Sequence, residues 1–199
     1  IFFLTADAFG VLPPVSLLDQ QQAMYYFLSG YTAKLAGTEI GVQEPQAAFS
    51  TCFGAPFMMR KPNDYAELLG KYLAHNDIKV WLINTGWSGG AYGVGSRFPL
   101  KVTRTIIRAI QSNELNNVKC VKEEIFGLNI PESIPGVDSK CLRPRLTWSD
   151  EKAYDKQAKA LADMFHKNFK KFKTVNKEIF KGAPVYGNDF FSQLRSEAR

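Results

Sequence analysis

The sequence predicts an α/β protein in which helices flank a mixed sheet. Three observations favour this class. Short apolar runs alternate with amphipathic helical patterns over the first 110 residues, the composition is globular with 45% apolar and 22% charged residues, and no repeat or low-complexity tract is found. The 199 residues suffice for one domain with a substantial core, or for part of a larger domain.

The first element is the apolar run at residues 1–4, which is typical of a strand buried on both faces. Thr5 and Asp7 follow it directly, where a strand of an open α/β sheet hands over to a ligand-binding loop. The Pro13-Pro14 pair then predicts a stiff turn. An ordinary core strand with a turn and a strand that presents Asp7 to a ligand both fit this pattern.

The first helix is expected to begin with the capping-box-like pair Ser16 and Asp19 and to run to about Lys34, with Gly37 ending it. Residues 37–56 have no helical or strand period and contain several glycines and prolines. A connection of this length in a compact domain is uncommon and is often a lid or binding loop, although a plain connector has the same pattern.

Three more helices follow from the spacing of apolar residues. One is predicted from Pro62 to Ala74, a second contains Thr103 and Ile106, and a long third begins after Asp150. The apolar stripe of the long helix is expected to face the core and consists of Ala158, Leu161, Ala162, Phe165, Phe169 and Phe172. Between residues 119 and 145, prolines predict short strands and turns.

A strand at residues 78–84 leads into a glycine-rich loop at residues 85–97, with five glycines in thirteen residues. Such a loop lets backbone amides approach a ligand closely, but it is neither a Walker A loop nor a G-x-G-x-x-G motif. A nucleotide contact and a flexible surface loop therefore remain open. Arg97 ends the loop just before the helix that contains Thr103, so it is either an anion ligand or a surface ion pair.

Charge and cysteine content limit the remaining classes. The net charge is +6, and residues 151–199 carry eleven Lys or Arg against six Asp or Glu. This basic region favours a solvated helix face, with a nucleic-acid-binding module as an alternative. Three widely spaced cysteines without a metal motif indicate free thiols in a reducing, intracellular compartment. His75 is expected to be a satisfied residue at a helix end, and no apolar run reaches the ~20 residues of a membrane span.

Several segments, in the right order, resemble ATP-dependent phosphoenolpyruvate carboxykinases. They are Thr-Ala-Asp-Ala-Phe-Gly-Val-Leu-Pro-Pro-Val-Ser at 5–16, Phe-Leu-Ser-Gly-Tyr-Thr-Ala-Lys-Leu-Ala-Gly-Thr-Glu at 27–39, Cys-Phe-Gly-Ala-Pro-Phe at 52–57, Asn-Thr-Gly-Trp at 84–87, and the stretch from Ile130-Pro131 through Gly136-Val137-Asp138. The resemblance covers residues 1 to about 172. It implies that the chain is the C-terminal portion of the carboxykinase nucleotide-binding domain.

The resemblance implies an enzyme of gluconeogenesis that decarboxylates oxaloacetate with phosphoryl transfer from ATP, giving phosphoenolpyruvate, ADP and CO2. Mg²⁺ and Mn²⁺ serve as cofactors in the family, and their ligands, together with the P-loop, are expected upstream of Ile1. No catalytic residue is therefore expected in this chain, and the missing N-terminal part of the same protein is its expected partner. A fragment of this kind is predicted to be inactive alone.

The resemblance also assigns site residues. Arg97, Phe98 and Thr103 match the ATP-contact segment of the family, with Phe98 acting through its backbone. Residues 37–48 correspond to the mobile lid, including Gly37, Thr38, Glu39 and Gly41. The glycine loop departs from the pattern, since residues 91–94 make it about four residues longer than the shortest family versions.

Residues 1–199 are thus expected to form one partial domain, with a loosely held tail at 183–199. The chain is expected in the cytoplasm, without a nucleic-acid or membrane partner. A glycosome or similar peroxisome-like compartment is the alternative if the C-terminal Ser-Glu-Ala-Arg is incomplete, since it is not a Ser-Lys-Leu signal. A homo-oligomer is left open. The alternative to the enzyme is a non-catalytic paralogue or fragment that acts as an interaction module.

Overall fold

The structure is a computed structural model that describes residues 1–34 and 45–187. Nine strands and five α-helices lie in these two ranges. The strands are β1 (Phe2–Thr5), β2 (Val15–Leu18), β3 (Tyr31–Lys34), β4 (Gln46–Phe49), β5 (Val80–Asn84), β6 (Trp87–Ser88), β7 (Ser96–Arg97), β8 (Cys120–Lys122) and β9 (Asn129–Pro131). The helices are α1 (Gln20–Ser29), α2 (Pro62–His75), α3 (Leu100–Gln111), α4 (Ser139–Leu142) and α5 (Glu151–Phe169).

Five of the strands form one mixed sheet in the order β1-β5-β2-β9-β8. Strands β1 and β5 are parallel, whereas β2 is antiparallel to both of its neighbours and β8 is antiparallel to β9. Two small antiparallel hairpins, β3–β4 and β6–β7, lie outside this sheet. The predicted mixed α/β class is therefore confirmed.

Helices cover both faces of the sheet, and strand β5 shows this division most clearly. Its alternate residues Val80 and Leu82 belong to a large core with α1, α2 and α5, while Trp81 and Ile83 belong to a second core with α3. A strand buried on both faces needs apolar residues at every position, which is the pattern of Val-Trp-Leu-Ile in this strand.

Strand β1 differs from the prediction of burial on both faces. Its residues alternate between exposed and buried, with Phe2 38% exposed and Leu4 58% exposed, while Phe3 packs against the rings of Phe27 and Phe53. The reason is that the described residues cover only the face of β1 that carries Phe3 and Thr5. An apolar run shows that a strand can be buried, but its neighbours decide which side is covered.

The first helix also begins and ends elsewhere than predicted. Ser16 lies in β2, and the N-cap of α1 is Asp19, which forms a capping box with Gln22. The helix ends at Gly30, whose left-handed φ of 54° terminates it, and the chain continues as β3 rather than as helix to Lys34. The capping signal was real, but it starts at Asp19 rather than Ser16.

The other helices confirm the sequence patterns. Helix α2 spans the predicted range with one residue added, and all six residues of the predicted stripe along and after α5 are buried. The short strands β8 and β9 and helix α4 occupy the region of prolines. At the start of the predicted tail, Ala183 is buried and Tyr186 donates its N–H to the Ile125 carbonyl at 3.0 Å, whereas residues 188–199 lie outside the described ranges.

The structure also describes the surroundings of His75 and of the three cysteines. His75 Nδ1 lies 2.7 Å from the Lys71 carbonyl oxygen at the end of α2. The three cysteines are free, and burial raises the pKa of each thiol. Neither a helix able to cross a bilayer nor a group of three or more His, Cys, Asp or Glu placed to hold a metal ion occurs within residues 1–34 and 45–187.

Candidate functional site

The parallel strands β1 and β5 end side by side, and each is followed at once by polar residues. Thr5 is paired in register with Asn84, and the Thr85 N–H and hydroxyl both donate to the Thr5 carbonyl, at 2.9 and 3.1 Å. Carboxyl ends of parallel strands form the usual ligand edge of α/β sheets. The elbow at residues 6–14 and the glycine loop at residues 85–97 therefore meet at this edge.

Asp7 is fully buried at the centre of the elbow. Its carboxylate accepts four hydrogen bonds of 2.8–3.0 Å, from the backbone N–H groups of Phe9, Val11 and Leu12 and from the Tyr31 hydroxyl. Burial raises the pKa of Asp7, and these donors, led by the Leu12 N–H, act in the opposite direction. A carboxylate with four internal donors shapes the floor of the site and is not displayed to a ligand.

Asn84 fastens the elbow to the end of β5. Its Oδ1 accepts from the N–H groups of Asp7 and Gly86 at 2.9 and 2.8 Å, and its Nδ2 donates to the Leu12 carbonyl at 2.9 Å. Sequence reasoning assigned no role to this side chain. The available signal was an amide at the end of an otherwise apolar strand, where a buried polar group must find partners.

Glycines allow the elbow and the loop to pack backbone against backbone. A Cβ placed on Gly86 would lie 2.1 Å from the Asp7 carbonyl oxygen, and one on Gly10 would lie 2.1 Å from the Gly90 carbonyl oxygen. Gly10 also has a φ of 70°, which favours glycine. The sequence predicts that the glycines of the loop let the backbone approach a ligand closely. In the structure, Gly86 and Gly10 instead let the backbones of the elbow and the loop approach each other.

The glycine loop is an antiparallel hairpin rather than an irregular surface loop. Strands β6 and β7 pair Trp87 with Arg97 and Ser88 with Ser96. Residues 91–94 form a turn at its tip, closed by the N–H groups of Val94 and Gly95 on the Ala91 carbonyl at 3.0 and 2.8 Å. This turn lies outside the paired positions, so Trp87 and Arg97 remain opposite each other.

Two residues just before α5, Thr147 and Trp148, form hydrogen bonds with the hairpin and with the elbow. Thr147 Oγ1 accepts from the Gly89 N–H at 3.0 Å, lies 3.2 Å from the Ser88 hydroxyl and donates to the Pro144 carbonyl at 2.7 Å. Trp148 Nε1 donates to the Gly10 carbonyl at 2.9 Å. The turn before α5 thus fixes both the hairpin and the elbow.

Arg97 is exposed at the end of β7. Its guanidinium carbon lies 5.3 Å from the centre of the Trp87 ring, and its Nε donates to the Thr85 carbonyl at 3.3 Å. Over residues 1–34 and 45–187, its two Nη groups have no hydrogen-bond partner and no acidic side chain forms an ion pair with it. The alternative of a surface ion pair at Arg97 therefore has no support in this part of the chain.

Phe98 and Thr103 follow Arg97 closely. Phe98 is buried, and its N–H donates to the Gly86 carbonyl at 2.9 Å, so a backbone contact with a ligand would use its carbonyl oxygen. Thr103 is half-buried in the first turns of α3, whose N-cap is Pro99. No described side chain caps this helix end. The three residues therefore follow one another from the hairpin into the start of α3.

The predicted lid lies mostly outside the described residues, and Gly37, Thr38, Glu39 and Gly41 all fall there. Its flanks are described. Strands β3 and β4 pair from Tyr31 with Phe49 to Lys34 with Gln46, so the last three residues of the range 37–48 belong to a strand. The Thr5 hydroxyl donates to the Tyr31 carbonyl at 2.8 Å, which joins this hairpin to the end of β1.

The arrangement suits binding of an anion better than proton transfer. An exposed guanidinium with unused N–H groups lies beside a helix N-terminus, and both favour negative charge. The one buried carboxylate at this edge, Asp7, is occupied by internal donors. The described part of the site can orient an anionic ligand.

Comparisons with known proteins agree with one another. The sequence model of the phosphoenolpyruvate carboxykinase family matches residues 1–140. Phosphoenolpyruvate carboxykinase (ATP) of Geobacillus thermodenitrificans is 56% identical over 186 residues, which are 93% of this chain and 35% of that protein. The proteins of the same name from Caldanaerobacter subterraneus and Christiangramia forsetii are each 58% identical, over 92% and 93% of this chain and 35% of their own length. The chain spans about a third of the length of these relatives.

Proposed function

Because the chain belongs to the ATP-dependent phosphoenolpyruvate carboxykinase family, we propose that it is the C-terminal part of an enzyme that converts oxaloacetate and ATP into phosphoenolpyruvate, ADP and CO2. The relatives that carry this name match more than nine-tenths of the chain. Since the chain spans about a third of their length, the activity is proposed for the full-length polypeptide and not for these residues alone.

The contribution of this chain is to bind ATP through Arg97. The observation that carries this role is the exposed guanidinium at the ligand edge of the sheet, held by one ring and one carbonyl with its Nη groups free of described partners. Arginine presents paired N–H donors in a planar fork that matches phosphate and other anionic oxygens. Thr103, in the first turns of the next helix, and the Phe98 carbonyl are proposed as further nucleotide contacts.

Divalent metal ions enter the proposal as cofactors of the full-length protein. Mg²⁺ and Mn²⁺ prefer several oxygen ligands, including carboxylates. Residues 1–34 and 45–187 offer no group of three or more His, Cys, Asp or Glu that fits this requirement. We propose that the ligands of these ions lie on the part of the full-length polypeptide that is outside this chain.

The proposed partner of this chain is the remainder of the same polypeptide. The exposed apolar face of β1, with Phe2 and Leu4, supports this, because a lone strand face of this kind favours packing against further structure. No strand of the described residues pairs with the outer edge of β1, so this edge can accept a strand from the remainder of the polypeptide.

Residues 37–48 are proposed as a lid over the bound substrates. Truncation within this segment that keeps β4 intact is expected, in the full-length enzyme, to lower turnover and to leave the affinity for ATP unchanged, since closure excludes water but does not hold the nucleotide. Turnover equal to that of the intact enzyme would remove the lid from the proposal.

The activity itself is tested with the purified full-length protein. It is expected to release CO2 from oxaloacetate and to form phosphoenolpyruvate and ADP in equal amounts, and only when ATP is present. A folded full-length protein without this turnover would contradict the enzyme and favour an interaction module. The alternative of a nucleic-acid-binding module in the basic region at residues 151–199 is tested separately. Binding of nucleic acid by this region would weaken steeply as the salt concentration rises.

A further inference from the structure

The side chain that holds Arg97 in place is Trp87. The two residues are directly opposite each other in the β6–β7 hairpin, and directly opposite residues of an antiparallel pair project on the same face. The guanidinium carbon consequently lies over the indole ring, 5.3 Å from its centre, within the range of a cation–π contact. Arg97 Nε also donates a hydrogen bond to the Thr85 carbonyl at 3.3 Å.

Trp87 is itself held firmly. It is 9% exposed, its N–H donates to the Asp7 carbonyl at 2.8 Å, and its ring packs with Ala8 and Ala33 in a small apolar cluster. The Tyr92 ring lies edge-on to the indole at 5.7 Å. The surface under Arg97 is therefore part of the rigid edge of the sheet, even though Arg97 itself is exposed.

We propose that Trp87 is a positioning residue for the nucleotide, acting through Arg97. An arginine side chain loses much rotamer freedom when it binds an anion. Stacking on a fixed ring restricts the guanidinium before the ligand arrives and uses none of its Nη hydrogen bonds, so less freedom is lost on binding. This inference rests on the proposed function of Arg97 as an ATP contact.

The test is a double-mutant cycle in the full-length enzyme, with KM for ATP and kcat measured for each variant. Trp87→Leu is expected to raise KM for ATP by about three- to fivefold, the size of an exposed cation–π contact, with kcat within about twofold. Trp87→Phe, which keeps an aromatic face, is expected to recover part of this loss. In the Arg97→Ala background, Trp87→Leu is expected to change KM by less than about 1.5-fold, because the interaction is already gone.

Tyr72→Leu is a matched control, since Tyr72 is an exposed aromatic residue on α2, away from the hairpin. It is expected to leave KM for ATP unchanged. If Trp87→Leu does not fold, Trp87→Phe completes the cycle, and an effect of Trp87→Phe that persists in full without Arg97 would overturn the positioning role. Equal KM values for wild type and Trp87→Leu would overturn it as well.

The outcomes separate this inference from the proposed function. If Arg97→Ala raises KM for ATP but the effect of Trp87→Leu is absent or fully additive, the role of Trp87 is wrong and the ATP contact stands. If Arg97→Ala leaves KM unchanged, the ATP contact itself is wrong.

Discussion

The elbow after β1 and the hairpin after β5 lie side by side at one edge of the sheet, yet they use their charged groups in opposite ways. In the elbow, the Asp7 carboxylate is buried and accepts four hydrogen bonds from its own chain. In the hairpin, the Arg97 guanidinium is exposed and uses only Nε among the described residues. A charge whose bonds are all internal supports the fold, whereas a charge held in place with bonds to spare is available to a ligand.

The largest effect on stability is expected from Asp7→Asn, which removes hydrogen bonds that hold the elbow together. The amide nitrogen that replaces one oxygen would face N–H and hydroxyl donors, so hydrogen bonds are lost at a fully buried position. The free energy of unfolding is expected to fall by about 3–4 kcal/mol. Asp19→Asn is the control, because Asn serves as well as Asp at a helix N-cap. Urea unfolding of the full-length protein measures both, and equal stability of the two variants would contradict the structural role of Asp7.

Gly86→Ala changes the contact between the elbow and the hairpin, and its effect on stability is expected to be the second largest. Its Cβ would lie 2.1 Å from the Asp7 carbonyl oxygen, which is backbone and cannot swing away. A loss of about 2–3 kcal/mol in the free energy of unfolding is expected, together with a raised KM for ATP, since the hairpin must shift. Gly93→Ala provides the comparison, because a Cβ there meets no atom within 4 Å and only its φ of 87° is unfavourable. A milder effect of Gly86→Ala than of Gly93→Ala would show that this contact is not tightly packed.

The two regions also differ in what the sequence could predict. Helix α2 and the stripe of α5 follow from local spacing of apolar residues, and the resemblance of short segments identified the family. The role of Arg97 remains a prediction from that resemblance. The role of Asp7 depends on donors from three later residues and from Tyr31, which only folding brings together. The sequence predicts burial of β1 on both faces, whereas the described residues cover only one of them, because neighbouring elements rather than composition decide which face is covered.

Other features depend on register and were beyond local patterns. Four residues, Val15–Leu18, form β2, and a run this short fits a strand and the start of a helix equally well. The contact of Trp87 with Arg97 requires pairing across a seven-residue connection, so no spacing rule gives it. The resemblance led to the expectation that Arg97 contacts ATP, but it did not include the Trp87 ring beneath Arg97.

The smallest effect is expected from deletion of residues 91–94 at the tip of the hairpin. Gly90 and Gly95 already lie in contact, since a Cβ on Gly90 would be 2.8 Å from the Gly95 nitrogen, so the shortened turn can close. The hydrogen bond from the Tyr92 backbone N–H to the Ala8 carbonyl is lost, as is the edge-on contact of the Tyr92 ring with Trp87, and together they are expected to cost about 1 kcal/mol of stability. KM for ATP is expected to stay within about threefold of the intact enzyme, because β6 and β7 keep their pairing. A larger rise would mean that the tip itself contributes to nucleotide binding.

The most direct test of the contrast between the two regions is Arg97→Ala in the full-length enzyme, with KM for ATP and the melting temperature measured on the same protein. Loss of a charge-assisted contact is expected to raise KM for ATP by at least about tenfold, while the melting temperature stays unchanged because the guanidinium is exposed. An unchanged KM, or a rise in KM accompanied by a clear fall in melting temperature, would contradict the assignment of the hairpin to binding and of the elbow to structure.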